Sequence, residues 1–328
     1  MRWPAGSALA LAALLAASPP GAARAQHLDS LVVRLADMSA VSGLEDAMAE
    51  SVLAALPGSA LDRAGNVVWT RGAGEPVRVA LCPMDEIGWV VGSITADGYL
   101  TLRRVGTTPV SPLYDQFLEG QRVTVFGRRG AVAGVVGVRS VHLSRGRSAG
   151  SDDPFRLDDA RVDVGARSAT EVAALGIEVL APVTRAKHAH RYGLDYVAAP
   201  DAADRAACAA LLDAAQRARR DGGAGTAVVA FTRRRQFRWD GAAFLLLDRA
   251  AGGDPGGVVV VGGAGPADSL GRGAAPARQD SLPVPAGWRP VTAWSLPARY
   301  AHTPVETVSL RDAAALAESL RSFIEGAR

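Results

Sequence analysis

An α/β domain with a mixed, mostly parallel sheet, interrupted by a small all-β unit, is the fold class that this 328-residue sequence predicts. Three features carry it. Apolar residues recur at helical spacing at both ends of the chain, apolar strand-like runs alternate with helices in the second half, and residues 89–187 break into short β segments.

The first 25 residues read as a leader. Arg2 precedes an apolar run from Ala8 to Ala17, a break at Pro19-Pro20, and Ala23-Arg24-Ala25, an A-x-A cleavage pattern. The expectation is export, periplasmic or secreted, after cleavage near Ala25. The apolar run is shorter than the roughly 20 residues that span a bilayer, and no other segment is longer, so no membrane span is expected. Removing the leader takes Arg2 and Arg24 but no acid, so the formal charge falls from +3 to +1. With a single lysine, Lys187, among 36 basic residues, the pI of about 9.2 reflects arginine-rich composition, and no affinity for nucleic acid is expected.

Beyond the leader, Leu28, Leu31, Val32 and Leu35 predict one helix. Ser42-Gly43-Leu44-Glu45 reads as a capping box opening a second, which Pro57-Gly58 ends. Strands are expected at 66–70, 77–82, 87–94 and 99–102, the last two flanking an Asp97-Gly98 turn, then at 121–126 and 131–138 around Arg128-Arg129-Gly130. A helix from Asp204 to about 220 follows. Strands at 226–231, 243–248, 257–261 and 291–296, and a helix from Leu310 capped by Ser309, complete the α/β part. Residues 263–291, rich in Gly, Ala and Pro, read as a long loop. The domains are thus 26–88 plus 188–328, with 89–187 inserted. Cys82 and Cys208 sit in apolar surroundings and read as small buried residues, with pairing left open.

Several segments together carry a resemblance: Ala80 to Val90 (ALCPMDEIGWV), Asp62-Arg63-x-Gly65-Asn66-Val67, Gly134 to Gly137 with His142, Val162 to Ala166, and Arg299-Tyr300-Ala301-His302-Thr303-Pro304-Val305-Glu306. In this order and over nearly all the chain, they resemble the glutamyl/tetrahedral aminopeptidases, also called cellulase M-like, which are dinuclear-metal exopeptidases. The resemblance implies a zinc-exopeptidase-like α/β sandwich interrupted by a PDZ-like β-barrel that mediates assembly. It also implies two zinc or cobalt ions, carboxylate and imidazole ligands, and a glutamate acting as general base.

Set against that pattern, the chain is depleted. Where the resemblance implies a ligand histidine, Pro83 offers no donor atom, and Asp85, which would orient that histidine, is retained without it. The bridging aspartate falls on Ala203, leaving Asp201 or Asp204 as substitutes or Asp204 as a helix cap. Paired glutamates should follow Phe231, yet no glutamate occurs between Glu178 and Glu306, and Arg233, Arg234, Arg235 and Arg238 stand there instead. Those arginines oppose metal binding and suggest an anion site, or else a solvated face. Asp248, read at a strand end, and His302 are the two ligand positions expected to survive as vestiges. His188 and His190 read as surface.

The resulting expectation is an exported, non-catalytic homologue with no catalytic residue intact and no cofactor. It would bind a peptide or small anion in the old cleft or associate with an active relative, and form a homo-oligomer through the inserted β unit. The alternative is an active aminopeptidase or hydrolase with a rewired, mononuclear zinc or cobalt site.

Overall fold

A computed structural model of the chain describes residues 20–106, 112–138, 155–219, 225–250, 257–265, 282 and 291–326. His142 and most of the loop expected over 263–291 lie outside these residues, as does the leader before Pro20. The first helix, α1 (Pro20–Asp37), runs through the cleavage point expected at Ala25.

Leu28, Leu31, Val32 and Leu35 line the buried face of α1 as their spacing requires. Helix α2 (Asp46–Ala55) begins at an N-cap, Glu45, that makes no side-chain cap bond. The capping box is therefore corrected: Ser42 donates instead to Asp85 across the chain, and Glu45 turns to the backbone of Gly43 and Arg234. The strands are β1 (Ala60–Leu61), β2 (Val67–Ala73), β3 (Val77–Pro83), β4 (Trp89–Ile94), β5 (Leu100–Arg104), β6 (Arg122–Gly127), β7 (Gly130–Val136), β8 (Val162–Asp163), β9 (Pro182–Arg185), β10 (His190–Tyr192), β11 (Tyr196–Ala198), β12 (Gly225–Thr232), β13 (Gly257–Gly265), β14 (Thr292–Arg299) and β15 (Thr307–Ser309). The remaining helices are α3 (Ala169–Ala174), α4 (Ala202–Arg217), α5 (Asp240–Ala250) and α6 (Leu310–Glu325).

Nine strands form one sheet in the order β1-β2-β12-β3-β13-β14-β15-β11-β10. The four central strands, β12, β3, β13 and β14, are parallel to their neighbours within that group, and the outer pairings are antiparallel. Parallel strands are covered on both faces and read as continuous apolar runs, which is why β3 and β12 are buried along most of their length. On one face lie α1, α4 and α6. Helix α4 is buried all round from Ala202 to Ala215, and its many alanines let neighbours approach closely.

On the other face lies α5, where the sequence predicts a strand at 243–248. Trp239, Ala242, Leu245 and Leu246 are buried at helical spacing against Val79, Leu81, Val228 and Val260, while Phe244 and Leu247 face outward. Four apolar residues in a row fit a strand or a buried helix turn equally, and here the strong helix propensity of Ala and Leu prevails. Asp248 consequently lies on the exposed side of a helix.

Between β3 and β10 the chain leaves the sheet and closes a six-stranded barrel, β4-β5-β8-β7-β6-β9, around its own core of Trp89, Val91, Leu100, Leu102, Val125 and Val183. The chain departs just after Glu86 and returns just before Lys187, and the side chains of these two residues are bonded to each other.

The cysteines also depart from expectation. Both are buried, but Cys82 of β3 and Cys208 of α4 are joined in a disulfide, their Cα atoms 5.5 Å apart across 126 residues. The bond fixes the C-terminal end of β3 to the first half of α4. Unreduced protein denatured with a thiol reagent is expected to take up no label, and Cys208→Ala is expected to lower stability in urea unfolding by about 2–5 kcal/mol.

Candidate functional site

Parallel α/β sheets present their variable loops at the C-terminal ends of the strands. Here that edge gathers Pro83 to Glu86 after β3, residues 232–239 after β12, Gly262-Gly263 near the end of β13 and the turn 300–306 after β14. The N-terminus of α4 faces them.

The backbone at this edge is unusual. Among the described residues, seven non-glycine residues have positive φ, and six of them, Asp201, Arg234, Arg238, Trp239, Tyr300 and His302, lie in these segments. Such conformations are costly and persist where the surroundings over-determine them, commonly at functional sites.

Glu86, 1% exposed, is the centre of a buried charge network. Its Oε1 accepts from the Ala40 N–H at 3.0 Å, and Oε2 accepts from Lys187 Nζ and from Arg205 Nη2 at 3.0 Å. Arg205 also donates to the Met84 carbonyl, and Lys187 lies 3.8 Å from Asp201. Burial pushes the Glu86 carboxyl up, but Lys187 and Arg205 together hold it below the usual range.

Asp85 is equally buried. Its Oδ2 accepts from the Ser42 hydroxyl and from the Gln236 N–H at 3.0 Å, whereas Oδ1 has no hydrogen-bond partner among the described residues. Burial raises its pKa, against the pull of Arg235.

Asp204 does not cap α4; the N-cap is Asp201. Instead, Asp204 Oδ2 accepts from Arg235 Nη2 at 2.8 Å and Oδ1 accepts from the Gly263 N–H. A bulge in β13 between Val261 and Ala264 turns that N–H toward the acid. A Cβ on Gly262 would stand 2.7 Å from Asp204 Oδ1, so the strand end has no room for a side chain while Asp204 stays in place. Burial pushes the Asp204 carboxyl up, but Arg235 brings it below the ordinary value.

Three of the four arginines already have acidic partners. Arg233 pairs with Glu45 at 3.0 Å and Asp46 at 2.7 Å, Arg234 with Asp240 at 3.2 Å, and Arg235 with Asp204. Arg238 is exposed. His302 is exposed, and its backbone N–H donates to Glu306 Oε2 at 2.7 Å. Glu306 Oε1 accepts from the Ala203 N–H at 2.7 Å and so ties this turn to α4. Burial and the nearby Asp201 push the Glu306 carboxyl up to about 7. Although Glu306 closes the segment that carries the resemblance, the sequence reading gives it no role. For Lys187 the signal was present, since a single lysine in an arginine-rich chain marks an unusual site.

These donors do not fit a dinuclear metal centre. Pro83 and Gly262 bring no ligand atom, Asp248 lies on the exposed side of α5, and a guanidinium is bonded to Asp204. Among the described residues, no group of three or more His, Cys, Asp or Glu side chains is placed to hold a metal ion.

The description "M42 glutamyl aminopeptidase" matches residues 65–243. The protein SgcX of Escherichia coli (strain K12), which carries an aminopeptidase name, is 32% identical over 184 residues, covering 54% of this chain and 48% of its own. Lysyl aminopeptidase of Pyrococcus furiosus is 30% identical over 142 residues, covering 42% and 39%. The chain thus spans about half the length, or less, of the curated relatives it matches. Among solved structures, the TET1 peptidase of Pyrococcus horikoshii, described as able to assemble into a tetrahedron or a large octahedral shell, superposes with a TM-score of 0.76 at 22% identity over 90% of this chain and 99% of that one. An aminopeptidase of Desulfurococcus kamchatkensis gives 0.73 at 22% over 93% and 96%. At these identities the likeness establishes the fold.

Glu306 also sets a pH dependence. Its carboxyl ionises near 4.5 when unfolded and about 7 when folded, so the native state holds the proton more tightly, and stability falls as pH rises between those values. The loss is on the order of 2–3 kcal/mol. Urea unfolding from pH 5 to 8 should follow this slope in the wild type and lose it in Glu306→Gln.

Proposed function

The chain belongs to the M42 glutamyl aminopeptidase family, and from that membership we propose that it is an exported homologue that no longer catalyses peptide hydrolysis and acts by binding and assembly. One observation carries this reading: the Arg235 guanidinium is bonded to Asp204 at the strand ends where the family resemblance implies metal ligands. The missing donors at Pro83 and Gly262 and the missing glutamate base point the same way. Losing a positioned base alone typically costs about 10²–10⁴-fold in rate.

The rewired enzyme has less support. Asp248 is exposed on α5, and Asp204 is already engaged by Arg235 and Gly263. Within the binding reading, a peptide is favoured over an anion, because three of the four arginines that suggested an anion site have acidic partners of their own. Export is supported by the leader pattern and by the Cys82–Cys208 disulfide, a bond that persists in oxidising compartments. The assembly role given to the barrel rests on analogy with the shells described for the Pyrococcus horikoshii peptidase. Among the described residues no helix is long and apolar enough to cross a membrane.

Purified protein offered aminoacyl-nitroanilides with added zinc or cobalt is expected to turn over no faster than a His302→Ala control, and elemental analysis to find far less than one metal per chain. Turnover above that control would overturn the reading. Thermal shifts should appear with short peptides and be absent with phosphate; the reverse would restore the anion.

A further inference from the structure

This inference rests on reading the cleft as metal-free, and asks what balances its acids. Asp85 and Asp204 are 1% and 7% exposed. Carboxylates at that depth are unstable without a counter-charge. Metal supplies it in dinuclear enzymes of the kind this chain resembles; here the cation nearest to hand is covalently part of the protein.

Arg235 follows β12 in a short 3-10 turn held between two left-handed residues, Arg234 and Arg238. The turn directs its side chain inward, to 18% exposure, with the guanidinium 6.0 Å from the centroid of the buried Trp239 ring. Nη2 bonds Asp204, and the positive charge also acts on Asp85 and Asp201. The glycine bulge in β13 completes the seat by engaging the other Asp204 oxygen. One buried oxygen, Asp85 Oδ1, is left without a hydrogen-bond partner among the described residues. A surface ion pair would not need this enclosure, and an ordinary buried pair would not leave an acid oxygen unanswered beside it.

We propose that the Arg235 guanidinium is a resident cation standing in for metal charge, and that removing it opens a divalent-cation site on the Asp204 and Asp85 carboxylates. A guanidinium stays protonated at any physiological pH and cannot dissociate, so the cleft keeps its charge balance whatever the metal supply.

The test is thermal unfolding of the full chain in chelator and in zinc. The wild type should melt at the same temperature in both and bind no zinc by titration calorimetry. Arg235→Ala should melt roughly 5–15 °C lower in chelator, regain most of that loss in zinc, and bind zinc stoichiometrically. The double variant Arg235→Leu, Asp204→Asn, which lacks both charges, should melt above Arg235→Ala in chelator and ignore zinc. If Arg235→Ala does not fold, recovery of folding in the double variant supports the proposal and its absence overturns it. An Arg235→Ala protein as stable as wild type, or one that zinc does not raise, also overturns it. A wild type that melts lower in chelator would instead count against the metal-free reading beneath it.

Discussion

A carboxylate with almost no access to water, Glu86, is the point on which the rest of the architecture turns. Buried charge is tolerated only when compensated in place, and removing one member of such a group typically costs about 3–5 kcal/mol. Glu86 is compensated from two directions. Arg205 comes from the central helix α4, and Lys187 from the segment that returns from the barrel. Its remaining oxygen holds the loop between α1 and α2 through Ala40. Three pieces of chain far apart in sequence are therefore placed by one side chain. The neighbouring residues Pro83 to Asp85, which line the cleft, inherit that placement.

Within the cleft the departures from the family pattern depend on one another. Arg235 can be buried because Asp204 accepts its charge. Asp204 can reach both Arg235 and the Gly263 N–H because β13 bulges there and carries no side chain at Gly262. Glu45, which in sequence looks like a helix-capping partner, is occupied by Arg233 and the Arg234 backbone. No single reversion reconstructs a metal site, since each lost donor has been replaced by a group that another replacement requires. The residues form a second solution to the same electrostatic problem of clustered acids at strand ends.

How much of this could be read in advance follows from the range of the interactions. The buried face of α1, the alternating texture of the barrel, the apolar run of β3 and the Ser309 cap of α6 are set by residues a few positions apart, and the sequence displays them. The Cys82–Cys208 bond spans 126 residues and depends on how α4 packs on β3, which no local pattern states. The helix at α5 was hidden because a four-residue apolar run carries no period. The arginines were correctly placed opposite missing acids, but their partners, Glu45, Asp46, Asp204 and Asp240, come from three separate elements, so they looked like open positive charge. The same limit applies to Glu306, whose importance lies in two backbone N–H groups that come together only in the fold.

The contact between Glu86 and Lys187 has an evolutionary corollary. Because these residues flank the barrel and meet in space, everything between them hangs from the sheet at a single closed neck, the arrangement in which domains are most readily inserted or exchanged. A hundred residues could be traded at that neck while the strand ends and their charges stay fixed. The outer face of the barrel and the contents of the cleft are thus free to be selected separately, and a cleft that has given up its ancestral chemistry need not drag the barrel with it.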